Sequence, residues 1–178
     1  MSLKSKLSTV LYLFSNKGLY TTKWSFSDRG GVQGKNCTIF PNVEFGSEPY
    51  LIELGDNVRV TNGVRFVTHD GGLWVLRNMG KVDDSVGKFG KIRVGNNTHI
   101  GWNAIIMPGV TIGSNCIIGC GAVVTKDIPD NSVAAGVPAR VIETIDEYYE
   151  KVMSNHDVIN PNDEDKKREY LIKKYMSR

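Results

Sequence analysis

Few side chains in this 178-residue chain are suited to making and breaking bonds. There are three histidines, His69, His99 and His156, and three cysteines, Cys37, Cys116 and Cys120. His69 stands in RFVTHDGGLW, residues 65–74, beside a run of loop-forming residues. An imidazole that titrates near pH ~6.5 is available in its neutral form at physiological pH and can take a proton from a hydroxyl. On residue type alone, His69 is either such a base or a loop anchor bonding a carbonyl. The cysteines are odd in number and lack CxxC spacing, and Cys116 and Cys120 fall inside an apolar pattern. They read as small buried thiols in a reducing cytoplasm rather than a disulfide or a metal pair, and no metal is expected.

The elements that must position these residues show themselves as a repeat. From residue 94 the chain reads VGNNTH, IGWNAI, IMPGVT, IGSNCI, IGCGAV, VTKDIP, so Val94, Ile100, Ile106, Ile112, Ile118 and Val124 recur every six residues. The fifth position of each hexad is also small or apolar: Thr98, Ala104, Val110, Cys116, Ala122, Ile128. A helix needs apolar residues three and four apart, whereas this spacing fits a short strand, a turn and another short strand. The turns carry GDN at 55–57, GNN at 95–97 and GSN at 113–115, residue types that tolerate positive φ. Three hexads close one triangular coil, and inward residues stack on those of the next coil. Pro108 and Pro129 fit at corners, where no ladder donor is lost. Upstream the pattern is weaker: Ile39 and Phe45 are out of phase by three residues with Leu54, Val60 and Phe66, the slip falling near EPYLIE.

Phe66 begins a hexad and the next secure one begins at Val94, a gap that is not a multiple of six. Residues 70–91 therefore leave the solenoid as an excursion, and His69 is at its root. Long loops of this kind in compact domains are often functional.

Hydrophobic residues make up 40% of the chain and charged residues 23%, with 19 glycines, which is the composition of a globular protein. The net charge of +3 tolerates an anionic ligand, but no five-residue basic run points to nucleic acid. At the N-terminus, Lys4 and Lys6 precede a short apolar patch with no small-residue cleavage motif. Leu3, Leu7, Val10, Leu11 and Phe14 line one face of an amphipathic docking helix too short to span a bilayer. Three parts are expected: an N-terminal helix and lead-in over 1–34, a solenoid over 35–142 with the excursion 70–91, and a helical tail over 143–178. Two tail helices are expected at 143–153 and 162–176. The second has Asp163, Glu164 and Asp165 at its start, Lys173, Lys174 and Arg178 at its end, and an apolar face of Tyr170, Leu171 and Tyr175.

The stretch IGWNAIIMPGVTIGSNCIIGCGAVVTKDIPDNSVAAGVPARVI, residues 100–142, strongly resembles the hexapeptide-repeat acyltransferases. Among these are the maltose and galactoside O-acetyltransferases, the streptogramin (xenobiotic) acetyltransferases and enzymes that acetylate surface polysaccharides. The resemblance covers roughly residues 35–142. It implies a mainly β chain folded as a left-handed parallel β-helix, a cytoplasmic homotrimer with active sites between subunits, and acetyl-CoA as co-substrate. It implies transfer of the acetyl group to a hydroxyl of a sugar or saccharide intermediate, with a xenobiotic acceptor as the alternative.

By the same resemblance His69, in VTHDGG, matches the general base. Trp102, Cys120 and Thr125 match contacts to the CoA chain, and Lys126 and Arg140 match residues that face its phosphates. Gly136 and Pro138 shape the exit from the solenoid. Asn62, Asp70 and Trp74 are candidates for the acceptor, although related sugar enzymes place their acceptor-contacting Asn where this chain has Gly63. His99 stands where relatives often carry Trp and reads as a surface residue, as does His156 in the tail. Two other classes use such solenoids. The γ-type carbonic anhydrases require three zinc histidines, which this solenoid region lacks. A non-catalytic assembly solenoid would have no use for a histidine at the root of the loop. A serine acetyltransferase would carry a large N-terminal helical domain.

Overall fold

A computed structural model describes residues 26–159 and 163–176. The expected N-terminal helix over Leu3–Phe14 lies outside the described residues. The described residues divide into two compact units between Asp146 and Glu147.

The first unit is a parallel β-helix of three faces. The first face stacks β1 (Val32–Gln33), β3 (Ile52–Leu54), β6 (Ile92–Val94) and β9 (Thr111–Ile112). The second stacks β2 (Thr38–Ile39), β4 (Arg59–Val60), β7 (His99–Ile100), β10 (Ile117–Ile118) and β12 (Ser132–Gly136), with β13 (Ala139–Thr144) added antiparallel. The third stacks β5 (Arg65–Phe66), β8 (Ile105–Ile106) and β11 (Val123–Val124).

One residue of each two-residue strand points inward, which is why the hexad needs only one large apolar residue. Ile100, Ile106, Ile112, Ile118 and Val124 are all fully buried, and the small residues Ala104, Cys116 and Ala122 fill the corners between them. At the N-terminal end the filling is aromatic, with Phe26, Phe45 and Phe66 stacked at ring separations of 4.2 and 5.3 Å.

The register measures the coils, the last being the shortest, with Ile117 paired to Val133 16 positions on. Arg93 pairs with Thr111, His99 with Ile117 and Ile105 with Val123, each 18 positions on, or three hexads. Val32 pairs with Glu53 and Thr38 with Arg59, 21 positions on. The three extra residues are a 3-10 turn, Pro49–Leu51, at the phase slip in EPYLIE. Glu53 pairs with Arg93, Arg59 with His99 and Arg65 with Ile105, 40 positions on. That step exceeds the regular coil by 22 residues, the length of segment 70–91.

The corners bear out one expectation in part and correct another. In GDN, GNN and GSN it is the asparagine that takes positive φ, at 56° for Asn57, 53° for Asn97 and 56° for Asn115. The glycine is required for another reason: a Cβ on Gly95 would stand 2.6 Å from the carbonyl carbon of Gly113 in the next coil. Of the three cysteines, only Cys116 is buried; Cys37 is half-buried, and Cys120 is exposed because it sits on a corner rather than inside the triangle. Burial pushes the Cys116 thiol above its ordinary value.

The first tail helix begins two residues later than the sequence pattern suggests, because residues 143–144 still pair with β12. Helix α2 is Ile145–Ser154 and α3 is Glu164–Tyr175. Asp163 caps α3 by accepting from the Lys166 amide at 3.0 Å. Tyr170 and Tyr175 do not simply form an apolar face. Their hydroxyls donate to Asp157 at 2.9 and 2.7 Å, beside the Lys174 ammonium at 2.7 Å. No described helix is long and apolar enough to cross a membrane.

Candidate active site

The corner at which the third face turns back to the first holds both insertions in the helix. The three-residue turn follows Glu48, and the 22-residue excursion follows His69. Because Glu44 bridges Arg65 with a step of 21, Glu48 lies one coil directly beneath His69. Its Oε2 is 3.0 Å from His69 Nδ1 and accepts from the Thr68 hydroxyl at 2.5 Å, and Ser47 Oγ is 3.4 Å from the same ring nitrogen. The Thr68 hydroxyl above all, then the His69 ring and Ser47, hold the Glu48 carboxyl at about 2, against the opposing effect of its partial burial. A carboxylate ionised at neutral pH can only accept, so Nδ1 is the nitrogen that carries the proton. In the neutral ring Nε2 is then left as the basic nitrogen. The His69 side chain is 43% exposed, whereas that of Glu48 is 15% exposed, so the ring meets solvent far more than its carboxylate support does.

The excursion closes above this pair as a short antiparallel neck. The Asp70 amide donates to the Lys88 carbonyl and the Gly90 amide to the Thr68 carbonyl, both at 2.9 Å, and His69 bridges Phe89 between them. Asp70 also accepts from the Gly72 amide at 2.9 Å, which forms the turn into a one-turn helix, α1 (Leu73–Asn78). Trp74 projects from α1 and is 67% exposed.

The remaining residues of interest fall on two edges of the third face. The register aligns Thr125 with Met107 and Val67, and Lys126 with Pro108 and Thr68, so both stand on the His69 corner, two coils further along. Asn62, Trp102 and Cys120 line the opposite corner in successive coils, with Gly136 next in line. Trp102 and Cys120 are exposed, and the Asn62 side-chain oxygen is buried without a hydrogen-bond partner among the described residues. Gly63 takes φ of +74°, and a Cβ there would stand 2.1 Å from Asn103 Oδ1, so Asn103 of the next coil occupies the space a side chain at 63 would need. Arg140 is apart from these, on β13 opposite Ala135, its guanidinium bonded to the Ala139 carbonyl at 2.8 Å. His99 is on the second face between Arg59 and Ile117, where burial first and the Arg59 charge second lower its pKa. His156 bonds the Met153 carbonyl at 3.0 Å in the second unit. Among the described residues no three His, Cys, Asp or Glu side chains gather as a metal site.

Glu48, Thr68 and Phe89 were not singled out from sequence. The signal for Glu48 was there: a slip of three residues lengthens its coil to 21, and 21 positions before His69 is Glu48.

The chain is thus a three-faced hexad solenoid with a histidine–carboxylate pair at the root of its excursion. Residues 91–126 match the bacterial transferase hexapeptide family (six repeats). Protein CapG of Staphylococcus aureus is 46% identical over 148 residues, 82% of this chain and 84% of that protein. Galactoside O-acetyltransferase of Escherichia coli (strain K12) is 45% identical over 101 residues, 56% of this chain and 47% of that enzyme. The crystal structure of a maltose O-acetyltransferase from Clostridium difficile 630 superposes with a TM-score of 0.58 at 32% identity, covering 78% of this chain and 83% of that one. The chain belongs to the hexapeptide-repeat transferases. It is an acyltransferase, and its solenoid is the left-handed parallel β-helix of that family.

Proposed function

We propose that this chain transfers an acetyl group from acetyl-CoA to a hydroxyl of a sugar or saccharide intermediate, with His69 as general base. The observation that carries the reading is the contact between His69 Nδ1 and Glu48. It fixes the ring's tautomer and turns a basic Nε2 outward at the root of the excursion. The hydroxyl oxygen attacks the thioester carbonyl carbon as its proton passes to Nε2; the carbon–sulfur bond then breaks, and the proton returns to the departing thiolate. Glu48 stabilises the imidazolium that exists between these two transfers. The names of the galactoside and maltose O-acetyltransferases support a sugar hydroxyl as acceptor.

In this reading Trp102, Cys120 and Thr125 contact the CoA chain along the two edges of the third face. The corners there suit an extended chain, since a Cβ added at Gly109 or Gly121 would meet nothing within 4 Å. Lys126 and Arg140 face its phosphates by charge and donor geometry. Asn62, Asp70 and Trp74 serve the acceptor, Asn62 with a buried oxygen that has no partner among the described residues. The working form is a cytoplasmic homotrimer with the sites between subunits.

The test is an acceptor screen with labelled acetyl-CoA, run in parallel on the native chain and on His69→Ala. The reading expects label to move to a sugar-bearing acceptor with the native chain and to fall sharply with the variant. Equal transfer by both would overturn it.

A further inference from the structure

Glu48 occupies the Nδ1 side of His69, so an acceptor hydroxyl must approach from the Nε2 edge. What stands beside that edge is decided by the return strand of the excursion. His69 and Phe89 face each other across the neck, and the flanking hydrogen bonds run through Asp70, Lys88, Thr68 and Gly90. His69 and Phe89 are therefore a non-hydrogen-bonded pair, the arrangement that brings opposite side chains closest and on the same side of the ribbon. Their ring centroids are 6.2 Å apart at 60°. Phe89 leans across Gly87, where a Cβ would stand 2.5 Å from the ring. The ring is nonetheless 59% exposed. A single exposed apolar side chain needs no explanation in itself. This one is held by strand pairing against the candidate base.

The two charges of the neck are committed to each other, Lys88 Nζ lying 3.7 Å from Asp70 Oδ2. As the strand neighbours of His69 and Phe89 these two stand on the opposite side of the ribbon, so the approach to Nε2 is bordered by the aromatic ring, an environment suited to C–H groups and poorly suited to an ammonium or carboxylate. We infer that Phe89 is the platform that selects the acceptor: an uncharged pyranoside lays its C–H face on the ring and presents a hydroxyl to His69, while a zwitterionic amino acid is rejected. The ring's electron-rich face attracts the polarised C–H groups of a sugar. The inference rests on the acetyl-transfer reading above and adds to it a residue and a chemical class of acceptor.

The test uses the full chain, Phe89→Ala and Phe89→Trp with acetyl-CoA and a panel of methyl and nitrophenyl hexopyranosides, with L-serine as the charged competitor. Circular dichroism and thermal melting confirm that each variant is folded. Phe89→Ala is expected to raise the KM for the best pyranoside about tenfold and leave the KM for acetyl-CoA unchanged, and Phe89→Trp to restore most of the loss. An unchanged pyranoside KM in Phe89→Ala overturns the role of Phe89. Transfer to L-serine in preference to every pyranoside, or transfer to no pyranoside at all, overturns the acceptor class. If the native chain releases no CoA with any acceptor or with water, the acetyl-transfer reading itself fails, a result distinct from the other two.

Discussion

Two corners of the same triangle put the same stacking geometry to opposite uses. Where the first face turns into the second, each described coil places asparagine over asparagine. Asn36, Asn57, Asn97, Asn115 and Asn131 all take φ between 53° and 57°. Amide bonds join Asn36 to Asn57 at 3.3 Å, and Asn97 to Asn115 and Asn115 to Asn131 at 2.9 Å. Where the third face turns back to the first, the stack is imidazole over carboxylate, and both insertions occur there. Identical side chains at equivalent positions satisfy one another and make a brace. Unlike ones leave a basic lone pair outside the contact, here that of His69 Nε2. The candidate base stands where the repeat is broken, and the brace where it is kept.

The comparison breaks most visibly at His69. His69→Ala should lower kcat by about 10²–10⁴-fold with the melting transition unchanged; steady-state transfer of labelled acetate measures it. Glu48→Ala should lower kcat less, by about ten- to a hundredfold, because a hydrogen bond to a charged group is lost while the base remains. Its KM for acetyl-CoA should stay near the native value. At the other corner the expected effects are on stability alone. Asn115→Ala should cost about 1–3 kcal/mol, from the left-handed backbone and the lost amide bonds, and Asn115→Gly should cost less because it accepts the same φ. Denaturant titration checks both, and kcat should not move. Lys126→Ala combined with Arg140→Ala should raise the KM for acetyl-CoA about tenfold with little change in kcat; an unchanged KM would remove both from the proposed site.

The smallest effect concerns acid. The Glu48 carboxyl is held at about 2 in the folded chain, below its ordinary value. Its contribution to stability is therefore complete above the ordinary carboxylate range and is lost as pH falls through that range toward 2. Thr68→Val removes the largest cause of the depression, so the Glu48 titration should move upward, as followed by carboxyl carbon NMR. A titration that stays in place would show that Thr68 does not hold the carboxylate.

Much of the solenoid was legible because a period of six has few physical solutions, and each inward residue had to be apolar to stack. The break after His69 was legible for the same reason, since a gap that is not a multiple of six cannot remain in the coil. Roles within a turn were harder to read. Glycine and asparagine both permit positive φ, and only the contact of Gly95 with the next coil separates the residue that bends from the residue that yields space. Cys120 looked internal because it lies within the hexad of Ile118 and Ala122, but it holds the third position, at the corner, where the side chain turns outward. Glu48 was missed because its neighbour in the stack depends on which turn absorbs the three extra residues. Tyr170 and Tyr175 looked like an apolar face because spacing records their rings and not the Asp157 carboxylate that receives their hydroxyls.

The most direct test of the Glu48–His69 pair is a double-mutant cycle on kcat, measured with one acceptor for the native chain, His69→Ala, Glu48→Ala and the double variant. The account predicts that Glu48→Ala costs roughly ten- to a hundredfold in the native background and close to nothing once His69 is gone, because the carboxylate acts only through the imidazole. Equal costs in both backgrounds, or a His69→Ala enzyme of near-native kcat, would contradict it.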